Sequence, residues 1–206
     1  MIGVLDYGMG NLSSVTNALD YLGINNLVIN SDADFSTISH LIIPGVGSYA
    51  KAIENIHAKD YFKVIQEFGL SGKPILGICL GMQLLSDFGA EPYRNAGLGL
   101  IAGEVVILPQ ELGIRIPHMG WNGLKLVNSH PILEGVNLKA DFYFVHSYYF
   151  SQVREDNVIT YTDYGFDFPS VVCNPAKNVI GVQFHPEKSQ KQGLRILENF
   201  SRFTNA

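Results

Sequence analysis

Pro74-Ile75-Leu76-Gly77-Ile78-Cys79-Leu80-Gly81-Met82-Gln83 is the stretch on which the fold turns. Residues 74–78 form an apolar run of strand length, residues 80–87 read as a helix, and a cysteine stands at the joint. Gly77 and Gly81 keep bulk away from the sharp turn that such a joint needs. This is the pattern of a nucleophile elbow, with sulfur in place of a hydroxyl. Unpaired N–H groups at a helix N-terminus stabilise negative charge, and a thiolate is the reactive form of cysteine. The competing reading is a buried structural cysteine, because free cysteine packs well as a small apolar residue. That reading suits the second cysteine, Cys173, which ends the β-rich run Ser170-Val171-Val172-Cys173.

Strand and helix alternate on the N-terminal side of the elbow. Residues 2–6, 27–29 and 41–43 read as strands, and residues 13–22, 49–57 and 61–68 as helices. Val15, Leu19 and Leu22 share one face of the first helix, and Gly23 is a plausible stop. Such alternation needs crossover connections and leads to a parallel sheet covered on both faces. The C-terminal side differs. Residues 104–108, 124–127, 142–149, 158–162, 170–173 and 179–184 read as strands separated by Gly, Pro, Asn and Asp turns. Residues 190–203 close the chain as an amphipathic helix with Leu194, Leu197 and Phe200 inward. The expectation is one α/β domain over residues 1–206, an open, mixed, largely parallel sheet with helices on both faces.

Composition narrows the function. Hydrophobic residues make up 47% and charged residues 16%, enough apolar side chain for a substantial core. The net charge of −5 offers no basic footprint for nucleic acid. No apolar run reaches the roughly 18 residues of a membrane helix, and Met1-Ile2-Gly3-Val4 opens no signal-peptide pattern. Two cysteines in unlike settings make no disulfide framework, so a cytoplasmic location is expected.

A base for the elbow stands in Val182-Gln183-Phe184-His185-Pro186-Glu187. In extended chain, residues two apart point to one side, and Pro186 disfavours helix at His185. A carboxylate beside an imidazole fixes its tautomer and stabilises the imidazolium. Pro44-Gly45-Val46-Gly47 follows an apolar strand and could turn backbone N–H groups toward a developing oxyanion. The N–H of Leu80, directly after the cysteine, is the natural second donor. His40, His57 and His130 read as solvated, while His118 and His146 sit in aromatic, Gly-containing stretches. No histidine has convincing metal-ligand spacing, so no metal is expected. Gly8-Met9-Gly10 lacks the third glycine of a dinucleotide fingerprint, and no cofactor is expected.

Taken together, Gly77-Ile78-Cys79-Leu80-Gly81-Met82-Gln83, Pro44-Gly45-Val46-Gly47 and His185-Pro186-Glu187 resemble the class I, triad-type glutamine amidotransferases. Asp6-Tyr7-Gly8-Met9-Gly10-Asn11, Pro117-His118-Met119-Gly120-Trp121-Asn122 and Tyr143-Phe144-Val145-His146-Ser147-Tyr148 look like the branch of that family that serves histidine biosynthesis. The resemblance implies the family's α/β fold and a catalytic Cys79, His185 and Glu187, with Gly47 and Leu80 at the oxyanion. It places Gln83, Glu91, Ser147 and Tyr148 on L-glutamine. It implies a heterodimer with a (β/α)8 cyclase subunit that takes up the ammonia to make imidazole glycerol phosphate and an aminoimidazole carboxamide ribotide. Asn11, Ser14, Trp121, Tyr143 and Lys188 match positions facing that partner, without which low glutaminase activity is expected. Two stretches depart from the branch. Asp87-Phe88-Gly89-Ala90-Glu91-Pro92 lacks an acidic run, and residues 109–116 carry Arg115 as their one cation. These leave open an alternative, a paralogous glutaminase supplying ammonia to a surface-sugar amination system.

Overall fold

The computed structural model describes residues 1–204, so the last two residues of the expected 1–206 domain lie outside the described residues. The chain runs β1 (Ile2–Leu5), α1 (Leu12–Tyr21), β2 (Asn26–Ile29), β3 (His40–Gly45), α2 (Tyr49–Ala58), α3 (Tyr61–Leu70), β4 (Ile75–Cys79), α4 (Leu80–Leu84), β5 (Phe88–Gly89) and β6 (Asn95–Ala96). It continues with β7 (Glu104–Ile107), β8 (His118–Asn122), β9 (Lys125–Leu126), β10 (Phe142–His146), β11 (Tyr148–Ser151), β12 (Val158–Asp163), β13 (Asp167–Cys173), β14 (Val179–Val182) and α5 (Gln190–Arg202).

Eight strands form the central sheet in the order β2-β1-β3-β4-β14-β13-β12-β9. The first five are parallel. From β13 outward the pairings are antiparallel. The sheet is therefore mixed, with its parallel half built from the βα repeats. Alternate side chains of β3 feed two cores. Leu41 and Ile43 pack with α2, α3 and α4 on one face, while Ile42 packs with α1 and α5 on the other. Burying a side chain such as Ile43 or Phe200 contributes about 1.5–3 kcal/mol, so the two cores hold the sheet from both sides. β14 inserts next to β4, with Val182 opposite Ile78. That insertion brings the end of the late-sequence strand beside the elbow.

Four expectations are corrected. Residues 142–149 are not one strand: β10 pairs with β8, and β11 pairs with β7 in a separate four-stranded sheet. The β8 ladder ends with His118 opposite His146, and the next residue on that side, Pro117, has no N–H with which to continue it. Residues 118–122, not among the expected strands, form β8, because β10 offers a ladder partner to each of them. The elbow helix is shorter than residues 80–87. Leu98 and Leu100 donate to the carbonyls of Leu84 and Leu85 at 2.8 and 2.9 Å, so the returning chain caps the helix there. His40 and His130 are buried, not solvated. The Nε2 of His40 meets the Phe203 carbonyl at 2.8 Å, and that of His130 meets the Lys177 carbonyl at 3.1 Å. These bonds offset the cost of taking each ring out of water. His57 is exposed, as expected, and stacks on Phe62.

Candidate active site

Cys79 ends β4 with φ +53°, a conformation that few non-glycine residues adopt. The turn is held by close packing rather than by its own preference. A Cβ on Gly81 would run into the Ile43 carbonyl, so only glycine lets α4 press against β3 at this point. The Cys79 thiol is 6% exposed, lies 3.7 Å from the Val145 carbonyl oxygen and is a free cysteine. Cys173 is also buried and free, and burial pushes its thiol pKa up, as suits a packing role.

His185 follows β14 by three residues, so it shares the C-terminal edge of adjacent parallel strands with Cys79. Open α/β sheets place ligands at that edge. Its backbone is fixed: the His185 N–H donates to the Tyr143 carbonyl at 2.9 Å, and its carbonyl accepts from the Ser189 hydroxyl at 2.7 Å. Pro186 opens a 3₁₀ turn over Pro186–Lys188. The His185–Glu187 contact therefore comes from this turn folding Glu187 back, not from the extended alternation expected. His185 Nδ1 lies 2.8 Å from Glu187 Oε1, with both side chains at most 2% exposed. Burial alone would lower the pKa of the imidazole. The Cys79 sulfur and the Glu187 carboxylate outweigh burial and raise it to about 10. The Nε2 of His185 is buried and has no hydrogen-bond partner, and the Cys79 sulfur is near enough to help raise the pKa of the ring. The three side chains thus form one cluster that holds a proton on imidazole next to sulfur.

A cleft of about 340 Å³ opens beside the sulfur, within the range of small-molecule sites. Gly47, Leu80, Gln83, Glu91, Ser147 and Tyr148, all named from sequence, line it together with Val46, Pro117, Val145 and His146. Gly47 has φ +102°, which glycine alone adopts freely, and Leu80 is the first residue of α4. Gln83 Nε2 gives its hydrogens to the Tyr148 carbonyl at 2.9 Å and to Gln183 Oε1 at 3.2 Å, which leaves its own oxygen for a ligand. Glu91 Oε2 accepts from the Tyr49 N–H at 3.0 Å, so it holds the start of α2 as well as lining the cleft. Burial, and then the Glu91 charge, raise the pKa of the Tyr148 hydroxyl. Gln183 bonds to Gln83 and His118 to the cleft-lining His146; the sequence marked no role for these three, and a polar residue inside the apolar run of β14 and Phe184 was the available signal for Gln183. Among the described residues, no group of three His, Cys, Asp or Glu side chains could hold a metal ion.

The remaining five named residues do not line the cleft. Trp121 is 48% exposed and meets Tyr143 edge-on at 5.7 Å, with the Lys188 ammonium 5.9 Å from the Tyr143 ring. Met119, 63% exposed, extends this apolar surface along β8. Asn11 caps α1 by accepting from the Ser14 N–H at 3.3 Å, and α1 packs beside the 186–188 turn.

Residues 3–202 match the family model described as glutamine amidotransferase class-I. The chain is 45% identical over 205 residues to "Imidazole glycerol phosphate synthase subunit HisH" of Desulfitobacterium hafniense (strain DSM 10664 / DCB-2), covering 100% of this chain and 95% of that protein. It is 46% identical over 201 residues to the protein of the same name from Aquifex aeolicus (strain VF5), covering 97% and 95%. In structure it is similar to PurLQS from Thermotoga maritima, with a TM-score of 0.77 and 20% identity over 98% of this chain and 97% of that one. A crystal structure titled glutamine amidotransferase gives 0.74 and 21%, with the same coverage. At such identities these two speak for the fold alone.

Proposed function

Because the chain belongs to the class I glutamine amidotransferase family, we propose that it is the glutaminase subunit of an imidazole glycerol phosphate synthase, working through Cys79, His185 and Glu187. The observation that carries the chemistry is a buried imidazole that meets a carboxylate at 2.8 Å, keeps its other nitrogen unpartnered and has its pKa raised by a nearby cysteine sulfur.

The ionised sulfur of Cys79 attacks the side-chain carboxamide carbon of L-glutamine. Negative charge gathers on the carboxamide oxygen, where the N–H groups of Gly47 and Leu80 receive it. Protonated His185 gives its proton to the departing nitrogen, the C–N bond breaks, and ammonia leaves. A γ-glutamyl thioester remains on Cys79. Water then adds to the thioester carbon with His185 as base, the C–S bond breaks, and glutamate departs. Glu187 keeps His185 in one tautomer and balances its charge at the proton-carrying stage. Gln83, Glu91, Ser147 and Tyr148 hold the substrate. No cofactor enters any step.

The ammonia passes to a (β/α)8 cyclase subunit, which uses it to form imidazole glycerol phosphate and an aminoimidazole carboxamide ribotide in histidine biosynthesis. Trp121, Tyr143, Lys188, Asn11 and Ser14 face that subunit in a cytoplasmic heterodimer. The exposed Trp121, packed on the half-buried Tyr143 beside the His185 turn, supports this, since aromatic anchors typify interface hot spots. The names of the relatives favour this partner over surface-sugar amination. Among the described residues no helix is long and apolar enough to cross a membrane. The test is glutamate release from glutamine with and without the cyclase. Stimulation by the cyclase and loss on Cys79→Ala are expected; activity that ignores both would overturn the proposal.

A further inference from the structure

A line of hydrogen bonds leads from the Cys79 sulfur to two buried histidines that the glutaminase chemistry does not use. Gln183, fully buried beyond the end of β14, directs Nε2 at the sulfur from 3.8 Å. Its Oε1 accepts from Gln83 Nε2 at 3.2 Å. Gln83 Nε2 also donates to the Tyr148 carbonyl, and that same oxygen accepts from His146 Nδ1 at 2.8 Å. His146 Nε2 meets His118 Nδ1 at 3.0 Å, and His118 Nε2 meets the Asn122 side-chain amide at 3.5 Å.

Only one set of donors fits this line. A carbonyl oxygen can only accept, so His146 carries its hydrogen on Nδ1. Both rings are neutral: burial holds His118 down to about 4, and burial, then the repulsion that a charged His118 or His185 would exert, holds His146 down to about 3. A neutral His146 accepts at Nε2, so His118 donates from Nδ1 and accepts at Nε2. Asn122 supplies that last hydrogen, its orientation fixed because its oxygen accepts from the Gly123 N–H at 2.8 Å. Phe144, Tyr164 and Phe168 pack around the His118 ring, and Phe144 and Phe168 around His146, which leaves neither ring room to turn over. At the other end, a flipped Gln183 would place its oxygen against the sulfur and its NH₂ against the NH₂ of Gln83. The amide is thereby locked with a donor toward sulfur, and a donor favours the ionised form of an acid.

We propose that Gln183 supports the ionised Cys79 by donating a hydrogen bond to it, and that His146 and His118 are positioning residues that hold this donor in place through Tyr148 and Gln83. The inference rests on the glutaminase reading only in taking Cys79 as the nucleophile.

The test is the rate of Cys79 alkylation by iodoacetamide across pH 6–10 in the full chain, followed on the Cys79 peptide by mass spectrometry so that Cys173 does not count. Gln183→Met keeps the volume without the donor. Its alkylation is expected to be about tenfold slower at pH 7, with the profile moved to higher pH, the lower end of what a hydrogen bond to a charged group contributes. His118→Ala moves the profile the same way, and His118→Asn, whose amide can replace the Nδ1–H, restores most of it. Nitrogen NMR of the unsubstituted protein is expected to show both rings neutral and protonated on Nδ1 from pH 5 to 8, a readout that needs no variant to fold. A Gln183→Met profile that overlays the parent, or a charged or Nε2-protonated ring in that range, would overturn the proposal. Alkylation and NMR need no glutamine, so they decide this inference even if the glutaminase reading fails.

Discussion

Glu187→Gln removes the charge that faces His185 while keeping the shape of the side chain. The pair is 2.8 Å apart with both side chains at most 2% exposed, so solvent screens it little. Breaking a buried ion pair by removing one partner costs about 3–5 kcal/mol. Applied to the step in which His185 carries the proton, this is a loss of about 10² to 10⁴ in kcat/KM, at roughly 1.4 kcal/mol per tenfold. The carboxylate also helps to raise the His185 pKa to about 10, so its loss lets the imidazolium give up its proton at lower pH. The assay is glutamate release by the complex with the cyclase across pH 6–10, with kcat and KM separated. The loss is expected in kcat, with KM changed less than threefold because Glu187 does not line the cleft, and with the alkaline limb moved to lower pH. A loss below about tenfold with an unmoved alkaline limb would refute the role given to Glu187.

Linkage gives two windows for stability. His118 and His146 have folded pKa values below that of an unfolded histidine, about 6.5, so unfolding takes up protons as pH falls from there toward about 4 and 3. Their contribution is complete above the unfolded value and is lost in that acid window. His185 has the opposite sign: its contribution is complete below the unfolded value and fades as pH rises toward about 10. Denaturant midpoints from pH 4 to 10 are expected to fall on both flanks, and a flat acid flank would contradict the neutral pair. Gly81→Ala drives a methyl group into the Ile43 carbonyl and is expected to lower stability by about 1–3 kcal/mol or more, read by urea melts. Trp121→Ala is expected to leave those melts unchanged and to weaken cyclase binding about thirtyfold or more, a loss of about 2 kcal/mol typical of a hot-spot aromatic, read by calorimetry.

Local rules carried much of the fold. The apolar run, the flanking glycines and the cysteine of residues 74–83 lie within ten consecutive residues, so the elbow could be read directly. The βα half followed from periodicity alone, and the sheet did prove mixed, with helices on both faces. What escaped depends on partners distant in sequence. The break at Ser147 arises because β8 and β7, both earlier in the chain, take different halves of the aromatic stretch. The burial of His40 and His130 is set by carbonyls 163 and 47 residues away. Glu187 could be paired with His185 from sequence, but the 3₁₀ turn that joins them could not, because an X-Pro step reads locally as extended chain. Gly47 and Leu80 could be read from the glycine loop and the elbow, whereas Gln83, Glu91, Ser147, Tyr148 and the five partner-facing residues came from family likeness; no local pattern marks Asn11 or Ser147 on its own.

Acid-quenching the complex during turnover with glutamine, then mapping its peptides by mass spectrometry, looks for the thioester itself. A glutamyl group on Cys79, absent from Cys173 and lost in Cys79→Ala together with glutamate release, is the expected result. Undiminished glutamate release by Cys79→Ala would contradict it, because no other described cysteine stands beside His185.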